Sequence, residues 1–360
     1  MPVISYQAYV PNPVAQLDLM FPGAVVQAVS RAEAAISKLE HLPGGFPTTR
    51  QLASLEALGS GRLSGLTTTP RRLAEVLGRH NRRDVTAQQI AHLVVATETA
   101  AANDQGPITP DRLDSINGAV LGIEGSRLSV RTRQVWAGTS RTPRAAEFVP
   151  APPNSVMNLV DDLCAFLART DLPPIAHAAI AHAQFLAICP YYDGNGRTAR
   201  SLIQALLRHH CPTSGIIPIS PILAMNRRSY IDQLAAYRDG EVIGYCAAFA
   251  ASVETAALHA SGLAADCEGT LSQSRKQLGR VRSGSTADRL LPLLFDCPVV
   301  NTKDVQQALG VSDEAARLGL MALENAGVVR RLGGSPYDRT WIADVALDLL
   351  ERWEYGIELE

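Results

Sequence analysis

The chain is poor in aromatic residues: Phe, Tyr and Trp make up 5% of its 360 positions. Its core must therefore be aliphatic, built from Leu, Ala, Ile and Val. It also lacks an excess of either charge. Lys and Arg number 33 against 35 Asp and Glu, a formal net charge of −2, so no global basic field exists to hold nucleic acid or an anionic membrane. No run approaches the ~18 uninterrupted apolar residues of a membrane span, and the opening MPVISYQAYV lacks the basic-then-apolar order of a secretion signal. The six cysteines (Cys164, Cys189, Cys211, Cys246, Cys267 and Cys297) form no CxxC pair and no disulfide-framework spacing. They read as reduced thiols in a cytoplasmic protein, most of them small core hydrophobes. No internal repeat is visible.

What is present is an ordinary globular composition, 46% apolar and 19% charged, with room for two or three domains. Residues 1 to about 25 are extended and punctuated by Pro11, Pro13 and Pro22, an arm that drapes over a domain. Apolar spacing then predicts helices over 24–40, 49–57 (ended by Gly59-Ser60-Gly61), 71–79, 87–103 and 111–121. Segments 129–137 and 147–149 carry β-formers and predict a short hairpin. Helices follow over 156–169, 174–188, 196–209, 228–239 and 241–263, and 266–285 reads as a helix end plus linker. From 286 onward, helix, turn, helix and β-hairpin predict a winged-helix arrangement. The domain reading is an N-terminal helical region 1–85, a core 86–265, a linker 266–285 and a winged helix 286–360. The fold class is mainly α with a small β-hairpin flap.

The chemistry concentrates in Cys189-Pro190-Tyr191-Tyr192-Asp193-Gly194-Asn195-Gly196-Arg197-Thr198-Ala199-Arg200. One helix is broken by Pro190 and another begins at Gly196. Gly194 and Gly196 flank Asn195, so the backbone there can take unusual conformations and approach a ligand closely. Three or four N–H groups point out of the new helix, an anion site by geometry and dipole together. Arg197 and Arg200, three apart, can add bidentate contacts to phosphate oxygens. Asp193 is a hard oxygen ligand that suits a Mg²⁺ bridging to the same phosphates.

This stretch resembles the signature of the Fic family, His-x-Phe-x-(Asp/Glu)-Gly-Asn-Gly-Arg-x-x-Arg, with Asp193, Gly194, Asn195, Gly196, Arg197 and Arg200 matching outright. The lead-in Ala181-His182-Ala183-Gln184-Phe185 looks like the helix before that signature. Residues 9–77 resemble the N-terminal Fic-associated region, and 290–353 the winged helix that many bacterial members append. The resemblance implies a Fic helical core and transfer of a nucleotide monophosphate, most often AMP from ATP, onto a protein hydroxyl. It implies that Asp193 holds Mg²⁺. Gly194, Asn195 and Gly196 then bind the α- and β-phosphates, Arg200 the terminal phosphate, and Arg197 supports the cradle. Glu147-Phe148-Val149 is the flap that lines up the target.

Two positions depart from the family pattern. Cys189 stands where the family has its histidine, the group whose near-neutral pKa suits proton removal from the attacking hydroxyl. Tyr191 replaces Phe, a mild change. The stretch 60–65 resembles the inhibitory motif (Ser/Thr)-x-x-x-Glu-(Gly/Asn), with Ser64 at the glutamate position, so Arg200 loses its internal carboxylate. Cys189, beside a helix N-terminus and two arginines, has surroundings that lower a thiol pKa and favour a nucleophilic thiolate; the other reading is an inert residue. His182, two helical turns earlier, is a satisfied structural histidine, and His209-His210-Cys211 is a frayed helix end.

Three functional readings stay open. One is an enzyme transferring a phosphate-linked group from ATP or another nucleotide, with Cys189 at the reaction centre. Another is a silent protein binding nucleotide or a partner through the same cleft, and the third a DNA-binding regulator. DNA is not the favoured partner, because 284–344 holds eight acidic and six basic residues and only Arg330, Arg331 and Arg339 would serve. The acceptor, protein hydroxyl or small molecule, is not legible, and a homo-oligomer is compatible with the sequence.

Overall fold

A computed structural model describes residues 5–40, 49–78, 83–102, 106–123, 130–138, 140, 142–210, 215–279, 281–332 and 339–356. Its helices in chain order are α1 (Gly23–Glu40), α2 (Thr49–Leu63), α3 (Pro70–Leu77), α4 (Val85–Ala101), α5 (Pro110–Leu121), α6 (Val156–Leu167), α7 (Pro174–Ile188) and α8 (Asn195–His210). They continue with α9 (Ile219–Met225), α10 (Arg227–Arg238), α11 (Val242–Leu278), α12 (Thr286–Asp296), α13 (Thr302–Leu309), α14 (Asp313–Asn325) and α15 (Asp344–Gly356). Three strands, β1 (Val299–Asn301), β2 (Arg330–Leu332) and β3 (Thr340–Ile342), make one antiparallel sheet in the order β1-β3-β2. The protein is mainly helical with a small three-stranded sheet. Backbone contacts divide it into two compact units, residues 1–36, 95–213 and 226–255 in one and 37–94, 214–225 and 256–360 in the other.

The first unit is organised around α7. Thirteen of its fifteen residues are buried, so this helix is apolar all round and lies inside rather than on a surface. Its start is set by Pro174 at the first helical position. The alanines at 176, 178, 179, 181, 183 and 187 keep its girth small. Its polar side chains are all engaged. His177 Nε2 bonds the Phe166 carbonyl at 2.9 Å, His182 bonds the Tyr245 and Tyr230 hydroxyls at 2.8 and 3.2 Å, and Gln184 accepts from the Tyr237 hydroxyl at 3.0 Å. The described part of the N-terminal arm makes one turn, Leu17 N–H to Val14 O at 3.0 Å, and is sewn down from Asn12 onward. Gln184 donates to the Asn12 carbonyl, Asp162 accepts from the N–H groups of Val14 and Ala15, and Arg169 donates to the Leu17 carbonyl.

The second unit holds α2, α3, α9, α12–α15 and the sheet. The glycines at 59 and 61 do not end α2 as their residue types predict; the helix continues to Leu63. The reason is tertiary. A Cβ at Gly59 would stand 2.3 Å from the Pro221 nitrogen and 2.6 Å from the Ser220 carbonyl carbon, so only glycine lets α9 seat against α2. Beside that contact the buried Glu56 carboxylate accepts from both the N–H and the hydroxyl of Ser220.

Other differences have equally local causes. The hairpin expected at 129–149 is reduced to one antiparallel bridge, Ala137 to Phe148, since Pro143 opens a 3₁₀ turn between its arms. The stretch 266–285 is helical as far as Leu278, and its irregular part begins at Gly279. Helix α11 is long and apolar enough on average to cross a membrane. Yet Glu254 interrupts it and pairs with Arg31 at 3.1 Å, and its buried residues (Tyr245, Cys246, Phe249, Ala250, Val253) recur at the spacing of a helix packed on protein.

In an exposed helix, Gly→Ala stabilises by about 1 kcal/mol. Gly59→Ala is expected to do the reverse, destabilising the α2–α9 contact by about 2 kcal/mol through overpacking against backbone. The shift of the urea midpoint checks the sign.

Candidate functional site

The signature segment lies wholly in the first unit and begins where α7 stops. Cys189 adopts φ +47°, left-handed, and is the non-glycine residue with positive φ among those described. A helix commonly ends on such a residue with a proline following, here Pro190. The conformation is held by Arg131, a side chain the sequence did not single out. Arg131 is buried, and its guanidinium donates to the carbonyls of Cys189 at 2.7 Å, Ile188 at 3.2 Å, Arg133 at 3.3 Å and Ala151. Its own N–H donates to Pro190 O at 2.8 Å. A buried cation among four carbonyls, two of them at the C-terminal end of α7, finds there the negative end of the helix dipole.

The turn into α8 is fixed by Asn195. Its side chain accepts from Tyr191 N–H at 2.9 Å and donates to Tyr191 O at 2.7 Å. Gly194 has φ +78°, and a Cβ there would stand 2.8 Å from Asn117 Nδ2. That amide donates to Asp193 O at 3.1 Å and Thr198 Oγ1 at 2.9 Å, tying α5 to the loop. Thr198 N–H caps back to Gly194 O. The amides of Asn195, Gly196 and Arg197 are thus the first three of a helix, left without intrahelical acceptors as at any helix start.

Asp193 is 74% exposed at its side chain, while Arg197, 10% exposed, donates to both its oxygens at 3.0 and 3.1 Å. Gly194 N–H donates to Asp193 Oδ1 at 2.6 Å, so Oδ2 is the freer oxygen. Arg200 is buried, and a Cβ at Gly196 would come within 3.2 Å of its Nη1. Glycine at 196 therefore permits the close approach of Arg200 to the helix start.

The surroundings of the partly buried Cys189 thiol bear on its two readings. Its Sγ donates to Leu186 O at 3.0 Å. Burial pushes the thiol up to about 12, against the opposing pull of Arg131 and Arg238. Desolvation outweighs the two cations, of which the Arg131 guanidinium is itself committed to backbone carbonyls. His182 is a second buried group on α7. Burial, aided by Arg200, holds its imidazole down to about 3, neutral between two tyrosines. Tyr191 is buried, its hydroxyl donating to Asp114 at 2.7 Å, which satisfies the one polar atom that separates it from Phe. The neighbouring Tyr192 is exposed, and hydrogen bonds from Thr132 draw its phenol down to about 8.

The flap residues Glu147, Phe148 and Val149 lie across the same end of the unit, with the Arg238 guanidinium 4.2 Å from the Phe148 ring centre. Ser64 is exposed in the turn after α2 and belongs to the second unit. Cys211 and the turn at 333–334 lie outside the described residues. Among the described residues no group of three His, Cys, Asp or Glu side chains forms a metal cage. Of the arginines considered for DNA, Arg330 pairs with Asp344 and Arg331 with Glu324 at 2.9 Å; on α14, Arg317 pairs with Glu314 at 2.7 Å. Sequence reasoning missed Arg131, Asn117 and Arg238. Only Asn117 carried a signal, as a polar residue on the apolar Leu113–Ile116–Val120 face of α5.

Fold and site together define a mainly helical protein that presents a glycine-flanked helix start behind a left-handed turn. A model of the Fic/DOC family matches residues 107–207. This stretch, which contains α5 through most of α8 and the whole signature segment, matches as a Fic/DOC family domain. Among curated proteins the chain is similar to protein adenylyltransferase fic-1 of Caenorhabditis elegans, 30% identical over 125 residues, 33% of this chain and 23% of that protein. It is also similar to protein adenylyltransferase Fic of Culex quinquefasciatus, 36% identical over 142 residues, 38% of this chain and 25% of that protein. The chain thus spans about a quarter of the length of these relatives. The fold matches the crystal structure of a Fic family protein from Desulfovibrio desulfuricans G20, with TM-score 0.59, 18% identity, and coverage of 94% of this chain and 98% of that one.

The state of the thiol is directly checkable. With Cys189 titrating near 12 rather than the ordinary ~8.5, alkylation by iodoacetamide at pH 7.5 is expected to run roughly 10³-fold below an unperturbed thiol. The rate should rise about tenfold per pH unit well beyond pH 9. Peptide mapping of the alkylated native protein reads this out; a plateau near pH 8 contradicts it.

Proposed function

We propose that the Fic/DOC domain of this chain binds a Mg²⁺–nucleotide, ATP in the first instance, at Asp193–Arg200, and that it is a nucleotidyl-transfer protein whose chemical step is held back by Cys189. The observation that carries the reading is the helix start. The amides of 195–197, first of α8 and without intrahelical acceptors, sit beside Asp193 and Arg197, and Arg200 comes close to Gly196. That is an anion nest on a helix dipole. The adenylyltransferase relatives supply the nucleotide and a protein hydroxyl as the general classes of donor and acceptor.

The residues fit the ion that the family implies. Asp193 offers an exposed carboxylate oxygen, and Mg²⁺ characteristically takes one or two carboxylates with the remaining positions from phosphates and water. A cage of protein ligands is not required. When bound, the ion would neutralise phosphate charge. The chain's own contributions are then separable. Amides 195–197 and Arg200 hold the phosphates, Arg197 fixes the Asp193 carboxylate, and Glu147–Val149 would align an acceptor segment.

Position 189 occupies the place of the family's proton acceptor. A thiol donating to Leu186 O and titrating near 12 neither takes a proton at neutral pH nor attacks phosphorus. Nucleotide binding without efficient transfer is therefore the resting behaviour. We read the region 286–360 as a winged helix, from its order of helix, strand, helix, helix and two strands, and assign it to packing or self-association rather than DNA. The pairing of Arg317, Arg330 and Arg331 with acids of the same unit supports that assignment.

The test pairs binding with chemistry. Wild type is expected to bind Mg²⁺–ATP by calorimetry, and Arg200→Ala to weaken it roughly 10–100-fold, the cost of charge-assisted bonds. Cys189→His is expected to raise adenylylation of itself or an added protein 10²–10⁴-fold, the usual worth of a general base. Histidine is among the residues that tolerate left-handed φ, so the turn accommodates it. Absence of ATP binding by wild type, or no gain in Cys189→His, would sink the reading.

A further inference from the structure

The N-terminal arm divides into a fixed base and a lightly held tip. From Asn12 to Leu17 its backbone is bonded by Gln184, Asp162 and Arg169. Upstream, across Pro11, one backbone hydrogen bond among the described residues joins it to the flap segment, Tyr9 N–H to Val149 O at 2.9 Å. The Tyr9 ring lies 6.0 Å from that of Phe148, and its hydroxyl donates to Arg238 O at 3.0 Å. Between residues 6–9 and 143–149 runs an open groove of about 560 Å³, so the tip lies along the segment without being packed into it.

The edge it takes is specific. Ala137 bonds residues 147 and 148 on one side, N–H to Phe148 O at 2.8 Å and carbonyl to Glu147 N–H at 3.1 Å. Tyr9 bonds Val149 in the next register position, where the carbonyl points the other way, as alternate carbonyls of an extended segment do. Arg131 donates to the Cys189 carbonyl at 2.7 Å and to the Ala151 carbonyl just past the flap segment, while Arg238 lies over the Phe148 ring and its backbone carbonyl accepts from the Tyr9 hydroxyl. Arm tip, flap and Cys189 therefore meet around one pair of arginines.

We propose that residues 6–9 are a built-in occupant of the acceptor edge: a strand from the same chain fills the place beside Cys189 that an extended, hydroxyl-bearing polypeptide would take, and an acceptor binds by displacing it. The proposal rests on the function proposed above for its significance, but the occupancy itself is independent of nucleotide chemistry. Recognition is of backbone rather than sequence, as in strand addition to an open edge. The Pro11 and Pro13 positions, which donate no N–H, leave the tip free to swing on its anchored base.

The experiment uses the full chain. A fluorescein-labelled peptide of residues 5–12 (SYQAYVPN) is titrated by anisotropy against wild type, Tyr9→Pro, which removes the N–H donor, and Tyr9→Ala, which removes the ring and hydroxyl but keeps the backbone. Both variants are expected to bind the peptide at least tenfold more tightly than wild type, with circular dichroism unchanged. Should Tyr9→Pro misfold, Tyr9→Ala alone decides. Equal binding by wild type and variant, including no binding by either, overturns the proposal. Mg²⁺–ATP affinity measured on the same samples separates the two ideas. Its absence counts against the nucleotide reading and leaves the peptide result standing, and its presence with equal peptide binding removes only the strap.

Discussion

The first unit depends on one buried charge. Arg131 is withdrawn from water, a cost of several kcal/mol for an isolated cation, and no carboxylate answers it among the hydrogen bonds described for its side chain. Carbonyls answer it instead, those of Ile188, Cys189, Ala151 and Arg133. In accepting from one guanidinium, the end of α7, the residue that turns out of it and the chain leaving the flap become mutually fixed. Removing the guanidinium would orphan all of these carbonyls together, so a local change here has consequences at each of the three elements.

That constraint explains the state of Cys189. The left-handed turn points its carbonyl at Arg131 and its thiol back at the last turn of α7, onto Leu186 O. Proximity to a helix start with Arg197 and Arg200 is what made a reactive thiolate plausible from sequence, whereas the guanidiniums that pull on the thiol in the structure are those of Arg131 and Arg238. But a cation whose donors are committed to neutral carbonyls offers the sulfur only its field, and in a dry site the loss of hydration prevails. The direction of the shift follows from where the hydrogen bonds go, which spacing alone does not reveal.

The same distinction separates what was legible in the residues from what was not. Helices α5 to α8, the helix start at Asn195 and the glycine-flanked nest are local: apolar spacing, Pro174 and Pro190, and the Gly-Asn-Gly run dictate them within a turn or two. The continuation of α2 through Gly59, the helix α9 and strand β1 were missed because tertiary contacts decide them. Gly59 is helical because Pro221 sits where its Cβ would be, and Val299–Asn301 is a strand because β3 pairs with it. In the site, Arg131 and Arg238 escaped notice for the same reason. An arginine in a polar stretch carries no mark of burial, whereas Asn117 on an apolar helix face does.

Binding and chemistry in this site run through different atoms. The nest is maintained by Asn195 with Tyr191, by Asn117 with Asp193 and Thr198, and by Arg197 with Asp193. None of these hydrogen bonds uses the side chain at 189, whose thiol instead donates to Leu186 O on α7 while its backbone bonds Arg131 and Phe185. A side chain outside those bonds can be exchanged without loosening the nest, provided it tolerates a left-handed φ. The backbone geometry of the helix start and the side chain at 189 are therefore set by different atoms, a division of labour.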